Sequence, residues 1–377
     1  MTSIYNAEMA ELVDRMIHII NGTRAQIIKM APVMKELESR KIDYNFIFLA
    51  QHKETMYEIM AQFEIKRPDI VIADMDKDIT NVKDMIFWSF RILIYSFLKS
   101  KIIFRNDREG VVLIHGDAPP LFLGALMAKR QGLKVAQVEA GLRSHNYLKP
   151  FPEELTRVLS AKIGLIDIFF CQDEKAVSNI VHFNKTAYCT RYNTILDSLR
   201  LAEKLNPTTK HAETNDKFAI VSLHRFETIF KKENLEKVVT EIQKISKKLK
   251  LFFILHPSTR VSLKENSLYG DLNENPKCVL LPRQGFFEFN NLLSEAEFLI
   301  TDGGSNQEEC FYLGIPCLLF RSETERREGL GENVVVSNFD PVIIEDFVHY
   351  YESYRRKPVS ENFSPSNFIV DQLEKFN

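Results

Sequence analysis

A strand-then-helix alternation runs through the whole chain and determines its fold class. Short β-branched and aromatic runs are followed by longer stretches of helical periodicity, which is typical of βαβ units with parallel strands. The strands predicted in the first half are residues 16–20, 44–49, 111–114, 134–138 and 168–171, the last of which is expected to close this half. Helices are predicted from the turn at residues 21–23 to about 39, and over 121–131.

The same alternation starts afresh in the second half. Predicted strands lie at residues 218–223, 251–255, 278–281, 298–301 and 317–320, with helices over 233–249 and about 341–355. The polar stretch 206–217 has no apolar period and is expected to be a loop near the domain junction. A chain of 377 residues also exceeds the usual size of one core. We therefore predict two doubly wound α/β domains facing each other across a cleft, with ligands beyond the carboxyl ends of the strands.

Composition argues against several classes of function. The net charge of −2 gives no basic field for nucleic acid. The five cysteines are scattered without a CxxC pair, so no metal site and no disulfide framework is predicted. Residues 1–15 lack an apolar signal-peptide core. We expect a cytoplasmic protein.

One segment is densely apolar, residues 84–99 (DMIFWSFRILIYSFLK). Its uncharged runs are too short to cross a bilayer, and Arg91 interrupts them, so no integral membrane segment is predicted. An apolar helix must nevertheless be covered by something. We expect it at a subunit interface, in a homodimer, with a peripheral membrane contact as the alternative.

Polar residues follow the predicted strands of the first half. The turn Gly22-Thr23-Arg24 opens a helix that carries Lys29, and a glycine turn at a helix start can hold phosphate. Asp117 and Glu139 come just after two consecutive predicted strands, so their carboxyl groups are expected on one rim.

Glu153 opens the next helix, and Arg143 and Arg157 lie near these acids in the sequence. A helix cap or a helix-dipole contact would explain each acid separately. Three acids together raise one another's pKa, which suits acid–base chemistry.

The second half has a comparable set. His224-Arg225 and His256 each follow a predicted strand. The stretch 301–309 (TDGGSNQEE) leads from a strand through glycines into a helix, where successive backbone N–H groups can hold a pyrophosphate and Glu308 or Glu309 can reach a ribose. Arg321 and Arg326 add cationic charge for a diphosphate. A turn hydrogen bond, an acidic first turn and a solvated loop would explain the same residues without a ligand.

Taken together, these segments resemble the UDP-N-acetylglucosamine 2-epimerase family. The resemblance covers about residues 16–340 and is carried by blocks in family order: GTRAQIIKMAP (22–32), HGD (115–117), VEAGLRS (138–144), PFPEELTR (150–157), NTILD (193–197), LHRFE (223–227), HP (256–257), TDGGSNQEE (301–309), LGIP (313–316) and RSETER (321–326).

The resemblance implies a GT-B-like fold of two Rossmann-type domains, with the C-terminal helix crossing back to the first. We accordingly assign residues 1–193, joined by about 358–377, to the domain with the catalytic acids, and 194–357 to the UDP-binding domain. The reaction would be epimerisation at C2 by elimination and re-addition of UDP through a 2-acetamidoglucal, without a cofactor, as a step toward a surface glycan.

The family's site residues can be carried over by motif. The catalytic positions fall on Asp117, Glu139, Glu153 and His224. The basic residues of the first domain fall on Arg24, Lys29, Arg143 and Arg157. The UDP contacts fall on Arg225, His256, Phe289, Gly303, Gly304, Ser305, Glu309, Arg321 and Arg326.

The chain also departs from the family pattern. Ala25-Gln26 replaces Pro-Glu, Gly303-Gly304-Ser305 replaces Ser-Gly-Gly, and Thr156, Tyr192 and Phe226 replace Asn, Gly and Arg. These changes indicate a divergent subgroup. Because Gly116-Asp117-Ala118 and the VEAGLR block match the non-hydrolysing branch, we favour it over the branch that releases free sugar. The same motifs are also compatible with a GT-B glycosyltransferase and with a catalytically silent protein that binds a nucleotide sugar.

Overall fold

The computed structural model describes residues 16–49, 54–72, 82–117, 119–146, 153–206 and 216–375. Within these ranges, the side chains of residues 54–55, 82–86, 119 and 153 are not described. The chain divides into two compact units: the first combines residues 1–198 with 364–377, and the second is residues 199–363. The boundaries expected from the sequence, 193/194 and 357/358, lie a few residues earlier.

The first unit contains a seven-stranded sheet in the order β3-β2-β1-β4-β5-β6-β7. Its strands are β1 (Ile17–Asn21), β2 (Tyr44–Phe48), β3 (Ile70–Val71), β4 (Val111–His115), β5 (Lys134–Ala140), β6 (Ile168–Cys171) and β7 (Thr186–Cys189). All neighbouring strands pair in parallel. The strand order reverses between β1 and β4, which is the switch point where doubly wound sheets bind ligands.

The second unit repeats this topology in six parallel strands, in the order β10-β9-β8-β11-β12-β13. They are β8 (Phe218–Leu223), β9 (Lys250–Leu255), β10 (Cys278–Pro282), β11 (Leu299–Thr301), β12 (Cys317–Leu319) and β13 (Val334–Val336). The switch point of this sheet lies between β8 and β11.

Helices connect the strands on both faces of each sheet. In the first unit they are α1 (Arg24–Ser39), α2 (Glu54–Gln62), α3 (Val82–Ile103), α4 (Pro119–Gln131), α5 (Glu153–Lys162) and α6 (Glu174–Ser178), with α15 (Pro365–Glu374) packed on α1. The helix α7 (Ile195–Leu205) runs from the first unit into the second. The second unit has α8 (Phe226–Ile229), α9 (Lys232–Ser246), α10 (Pro257–Glu265), α11 (Tyr269–Asn273), α12 (Phe286–Glu295), α13 (Gly304–Leu313) and α14 (Pro341–Tyr350).

The central strands form because their residues are apolar on both faces and are covered by helices on both sides. Strands β1, β2, β4, β6 and β8 are buried along their whole length. Burial on both faces explains why these strands are largely apolar in the sequence. Two of the polar exceptions inside them, His18 and Asn45, are fully buried and hydrogen-bonded to each other at 2.9 Å. The polar residues predicted for the site lie near the carboxyl ends of the strands.

The prediction of two doubly wound parallel sheets is confirmed, with differences in detail. The first half does not close at residue 171, because β7 adds a further strand at the edge. The strand predicted to end at residue 138 continues to Ala140, so Glu139 lies within β5 and not beyond it. The helix predicted to reach residue 355 ends at Tyr350 and continues as a short 3-10 turn, Tyr351–Tyr354.

The apolar segment 84–99 belongs to α3. Among the described residues, no helix is long and apolar enough to cross a membrane.

Candidate active site

The loop after β1 starts α1 through a network that also reaches β4. Thr23 caps the helix, and its hydroxyl accepts a hydrogen bond from the N–H of Gln26 at 3.3 Å. The Gln26 side chain accepts from the N–H of Gly22 at 2.8 Å and donates to the carbonyl of His115 at 2.8 Å. Gln26, one of the departures from the family pattern, therefore ties the two strands of the switch point together.

Glu139 sits at a β-bulge where β5 meets β6, with a φ of +59°. A non-glycine residue in this left-handed region is strained by about 1–3 kcal/mol, and such residues concentrate at functional sites. Its side chain is only 6% exposed and binds the ammonium group of Lys29 and the amide of Asn193. The Nε2 atom of His115 lies 3.5 Å from the same carboxylate. The bulge thus turns a buried carboxylate toward three polar groups.

Asp117 follows β4 and binds Arg157, whose Nε donates to Oδ2 at 2.7 Å. Arg157 also donates from Nη1 to Glu154 at 3.1 Å. Burial opposes the charge of Arg157, but the carboxylates of Asp117 and Glu154 raise its pKa above the usual value. The guanidinium is therefore a permanent cation shared by two acids.

The residues proposed for the first domain fall into two ion-pair groups at the carboxyl end of the sheet. Lys29 pairs with Glu139, and Arg157 pairs with Asp117. Arg143 lies one contact further away, because its Nε donates to Glu154 at 2.6 Å. Arg24 is the first, half-buried residue of α1, and Glu153 is the first residue of α5, its side chain lying outside the described residues. Glu154, His115 and Asn193 were not predicted as site residues, because single polar residues inside such motifs give no signal of their partners.

In the second unit, Asp302 connects the two strands at the switch point. It follows β11, is fully buried, and accepts hydrogen bonds from the backbone N–H groups of His224 at 3.0 Å and Arg225 at 2.9 Å, just after β8. Burial raises its pKa, although the hydrogen bonds oppose that effect. The sequence pattern does not single out this residue.

The imidazole ring of His224 lies beside Asp302, and a second imidazole ring stacks on it. Nδ1 of His224 is 3.4 Å from a carboxylate oxygen of Asp302, and the rings of His224 and His256 stack with centroids 4.7 Å apart. His256 occupies the N-cap position of α10, without a capping hydrogen bond from its side chain. The pKa of His224 is lowered to about 4, because the surrounding protein excludes part of the water from its 37% exposed side chain and because Arg225 and Arg283 lie nearby. His224 is therefore neutral at pH 7.

The helix α13 begins at the glycine turn. Gly303 is its N-cap and Gly304 its first residue, so backbone N–H groups are available at its N-terminus. A Cβ atom on Gly304 would lie 2.9 Å from Nε of Arg326 and 3.8 Å from Nη2 of Arg225. On Gly303 it would lie 3.0 Å from Cε1 of His224. Two guanidinium groups and an imidazole therefore converge on this helix start.

Two carboxylates hold the arginines of this cluster. Glu325 lies 3.3 Å from Arg321 and 3.8 Å from Arg225, and Glu308, which is fully buried, lies 2.6 Å from Arg326. Burial raises the pKa of Glu325, but Arg321 and Arg225 outweigh it and hold the pKa at about 2. The result is an organised cationic site of the kind that binds phosphate groups.

Three further predicted residues lie on helices of the second unit. Ser305 lies in the first turn of α13, and Glu309, 5% exposed, accepts a hydrogen bond from Asn306 at 2.8 Å. Phe289 is buried in the apolar core that covers one face of the second sheet.

In the described ranges, no three acidic, histidine or cysteine residues are grouped to hold a metal ion.

Comparison with known proteins shows the family of this chain. The family model for UDP-N-acetylglucosamine 2-epimerases matches residues 35–363, which is most of the chain. The chain belongs to this family. The UDP-N-acetylglucosamine 2-epimerase of Methanococcus maripaludis is 33% identical over 342 residues, which cover 86% of this chain and 88% of that protein. This epimerase-family chain is accordingly an enzyme.

Solved structures of the family superpose on this epimerase-family chain. UDP-GlcNAc 2-epimerase from Neisseria meningitidis bound to UDP-GlcNAc gives a TM-score of 0.80 at 28% identity, covering 95% of this chain and 99% of that one. The Methanocaldococcus jannaschii enzyme in complex with UDP-GlcNAc and UDP gives 0.79 at 28% identity, with the same coverage. These matches confirm the predicted family and its GT-B-like class of two Rossmann-type domains.

Proposed function

We propose that this enzyme inverts C2 of a UDP-linked 2-acetamido sugar, converting UDP-N-acetylglucosamine to UDP-N-acetylmannosamine or acting on a close analogue. The observation that carries the proposal is the strained, buried Glu139 at the same end of the first sheet as Asp117. Relatives bound to UDP-GlcNAc support the choice of substrate.

The proposed reaction is an elimination followed by a re-addition. A carboxylate removes the C2 proton, the C2–H electron pair forms a C1=C2 double bond, and the C1–O bond breaks to release UDP. Protonation of the 2-acetamidoglucal at C2 on the opposite face, with return of UDP to C1, gives the epimer. The elimination and re-addition together are redox-neutral, so the proposed reaction needs no redox cofactor.

Each unit has a separate part in this scheme. Asp117 and Glu139 transfer the protons, with Lys29 and Arg157 as their counter-ions. Glu153 and His224 act at the leaving group. The start of α13, with Arg225, Arg321 and Arg326, binds the diphosphate. Arg24 and Arg143 contact the substrate, as do His256, Phe289 and Glu309.

Solvent exchange tests this function against a transferase and against a binding protein. In deuterated water with UDP-GlcNAc, deuterium at C2 of both epimers supports epimerisation. Transfer of the sugar to an acceptor without deuterium at C2 would indicate a glycosyltransferase. Binding of UDP without any exchange would indicate a nucleotide-sugar-binding protein.

Product analysis separates the two epimerase branches. The non-hydrolysing reaction, favoured by the Gly116-Asp117-Ala118 turn and the VEAGLR block, leaves the sugar attached to UDP. The same reaction mixture, followed by chromatography, should contain two UDP sugars and no accumulating free sugar. Steady release of a ManNAc-type sugar and UDP would assign the chain to the hydrolysing branch.

The exposed face of α3 supports a homodimer as the working state. Phe87, Phe90, Ile94 and Phe97 repeat at intervals of three and four residues and are 56%, 59%, 41% and 61% exposed. The opposite face of α3 already packs on the first unit through Trp88 and Ile92. A second copy of the chain would cover the exposed stripe, as an apolar helix face requires. The expected cytoplasmic location and the expected lack of nucleic-acid partners stay predictions.

A further inference from the structure

Glu154 lies in the PFPEELTR block and is fully buried, but it was not among the predicted site residues. Its Oε1 accepts hydrogen bonds from Nε of Arg143 at 2.6 Å and from the N–H of His145 at 3.3 Å. Its Oε2 accepts from the N–H of Ser144 at 3.0 Å and from Nη1 of Arg157 at 3.1 Å. Four donors, three on the consecutive residues 143–145 and one on Arg157, therefore converge on one side chain.

A charge buried this deeply is stable only when partners replace its water. Burial alone would raise the pKa of Glu154, but the backbone N–H of Ser144 and the two arginines lower it below the usual value. The carboxylate also holds the turn at residues 144–145, where His145 has a φ of +59°. Glu154 is therefore a fixed anion in a fixed place.

The link from Glu154 to the proposed chemistry passes through Arg157. Arg157 donates from Nη1 to Glu154 and from Nε to Asp117. A guanidinium is planar and rigid, so fixing one of its edges also fixes the direction of the other. The orientation of Asp117 consequently depends on Glu154.

We propose that Glu154 is a positioning residue that sets the orientation of Arg157 and, through it, of the Asp117 carboxylate. This inference rests on the proposed function of Asp117 in proton transfer. Displacement of a reacting group by about 1 Å costs on the order of 100-fold in rate, so loss of the anchor should reduce turnover strongly.

The first test is Glu154→Gln, which keeps the shape but places an amide N–H₂ against N–H donors. We expect kcat for C2 exchange, per folded enzyme, to fall about 10- to 100-fold, and KM to rise by a smaller factor because Arg143 also loses its anchor. Glu154→Asp keeps the charge and should recover at least about threefold of the lost rate. Glu36→Gln, which breaks a surface pair with Arg40 at 2.7 Å, is the matched control and should leave both constants unchanged. Equal loss of kcat in the Gln and Asp variants would contradict the proposal.

A double-mutant cycle with Arg157→Lys separates positioning from mere stabilisation. Lysine cannot bridge two carboxylates as a planar fork. If Glu154 acts through Arg157, Glu154→Gln should cost about threefold or less in the Arg157→Lys background. Losses that simply multiply would overturn the proposal. If the Gln variant does not fold, Glu154→Asp enters the same cycle.

A spectroscopic readout keeps this inference independent of the proposed function. In wild type, the side-chain Nε–H signals of Arg143 and Arg157 should be protected from solvent exchange in nitrogen-15 NMR spectra. Both should lose protection in Glu154→Gln and keep it in Glu36→Gln. Retained protection in Glu154→Gln would refute the anchoring role, whereas a wild-type enzyme without C2 exchange would refute only the proposed reaction.

Discussion

At the scale of single residues, Glu139 is informative because its backbone adopts a conformation that is unfavourable for a glutamate. A φ of +59° is unfavourable for any residue with a Cβ atom, yet the position carries a long acidic side chain. The contacts to Lys29 and Asn193 offset that strain. This strain at a buried acid is the reason that we propose a functional role for Glu139.

Two substitutions at position 139 separate the backbone strain from the loss of the carboxylate. Glu139→Ala and Glu139→Gly both remove the carboxylate, but only glycine relieves the positive φ. We expect the Gly variant to be more stable than the Ala variant by about 0.5–1 kcal/mol in urea unfolding, despite the greater freedom of glycine in the unfolded chain. At the exposed Lys134, which starts the same strand, the order of the two variants should reverse. An alanine variant at least as stable as glycine at position 139 would contradict the strain.

The lowered pKa of His224 predicts a pH dependence of stability. The unfolded chain takes up a proton near the usual value of 6.5, whereas the folded chain does so only near 4. Between these values the unfolded state binds more protons, so the stabilising contribution present above pH 6.5 is lost progressively as the pH falls toward 4. His224→Asn should have a shallower loss of unfolding free energy than wild type in this window. Identical slopes would show that His224 titrates normally.

Residue positions at the site were predictable where a strand end coincides with an acid or a histidine. Asp117 and His224 are such positions. Glu154 and Gln26 were not, because their importance comes from partners distant in sequence. Asp302 also directly follows a strand, β11, but it was overlooked beside the glycine turn that comes after it.

At the scale of elements, the start of α13 is the clearest candidate for phosphate binding. Gly304→Ala would place a methyl group 2.9 Å from Nε of Arg326, where an anion and the guanidinium must both fit. We expect UDP affinity, measured by calorimetry, to fall at least about 10-fold, a loss of about 1.4 kcal/mol.

Gly270→Ala provides the matched control for this substitution. Gly270 also lies in a helix of the second unit, and a Cβ atom there would meet nothing within 4 Å. UDP affinity should be unchanged. If both variants bind UDP like wild type, the diphosphate is bound elsewhere.

Strands differed in how well the sequence predicted them. The central strands were predicted to within about one or two residues, because burial on both faces requires an apolar run. The edge strands β3, β7 and β13 were missed. β3 and β13 are apolar but only two and three residues long, and β7 (TAYC) begins with a polar residue and is partly exposed. None of them therefore gives the longer apolar run that identifies the central strands.

At the scale of the whole molecule, the two units share one topology but have different polar groups at their switch points. The repeated alternation in the sequence was sufficient to predict both sheets. It could not predict that Glu139 and Asp117 are each paired with a cation, since ion pairing depends on the bulge at Glu139 and on the direction of α5.

The exposed stripe on α3 predicts the oligomeric state. Two chains of 43.8 kDa should give a dimer of about 88 kDa by light scattering without detergent. Phe90→Ser combined with Phe97→Ser should shift the protein toward monomer, because it removes two large apolar side chains from the stripe. Val181→Ser, at an exposed position outside α3, is the control. A monodisperse wild-type monomer would contradict this assignment.

We propose that the two units have separate roles: the first supplies the proton-transfer groups and the second binds the diphosphate. Asp117→Asn tests it most directly, by deuterium incorporation at C2 of UDP-GlcNAc at a substrate concentration that calorimetry shows to be saturating. We predict that exchange falls at least about 100-fold below wild type, while UDP still binds within about threefold of the wild-type affinity. Exchange at the wild-type rate, or loss of UDP binding in parallel with exchange, would contradict the account.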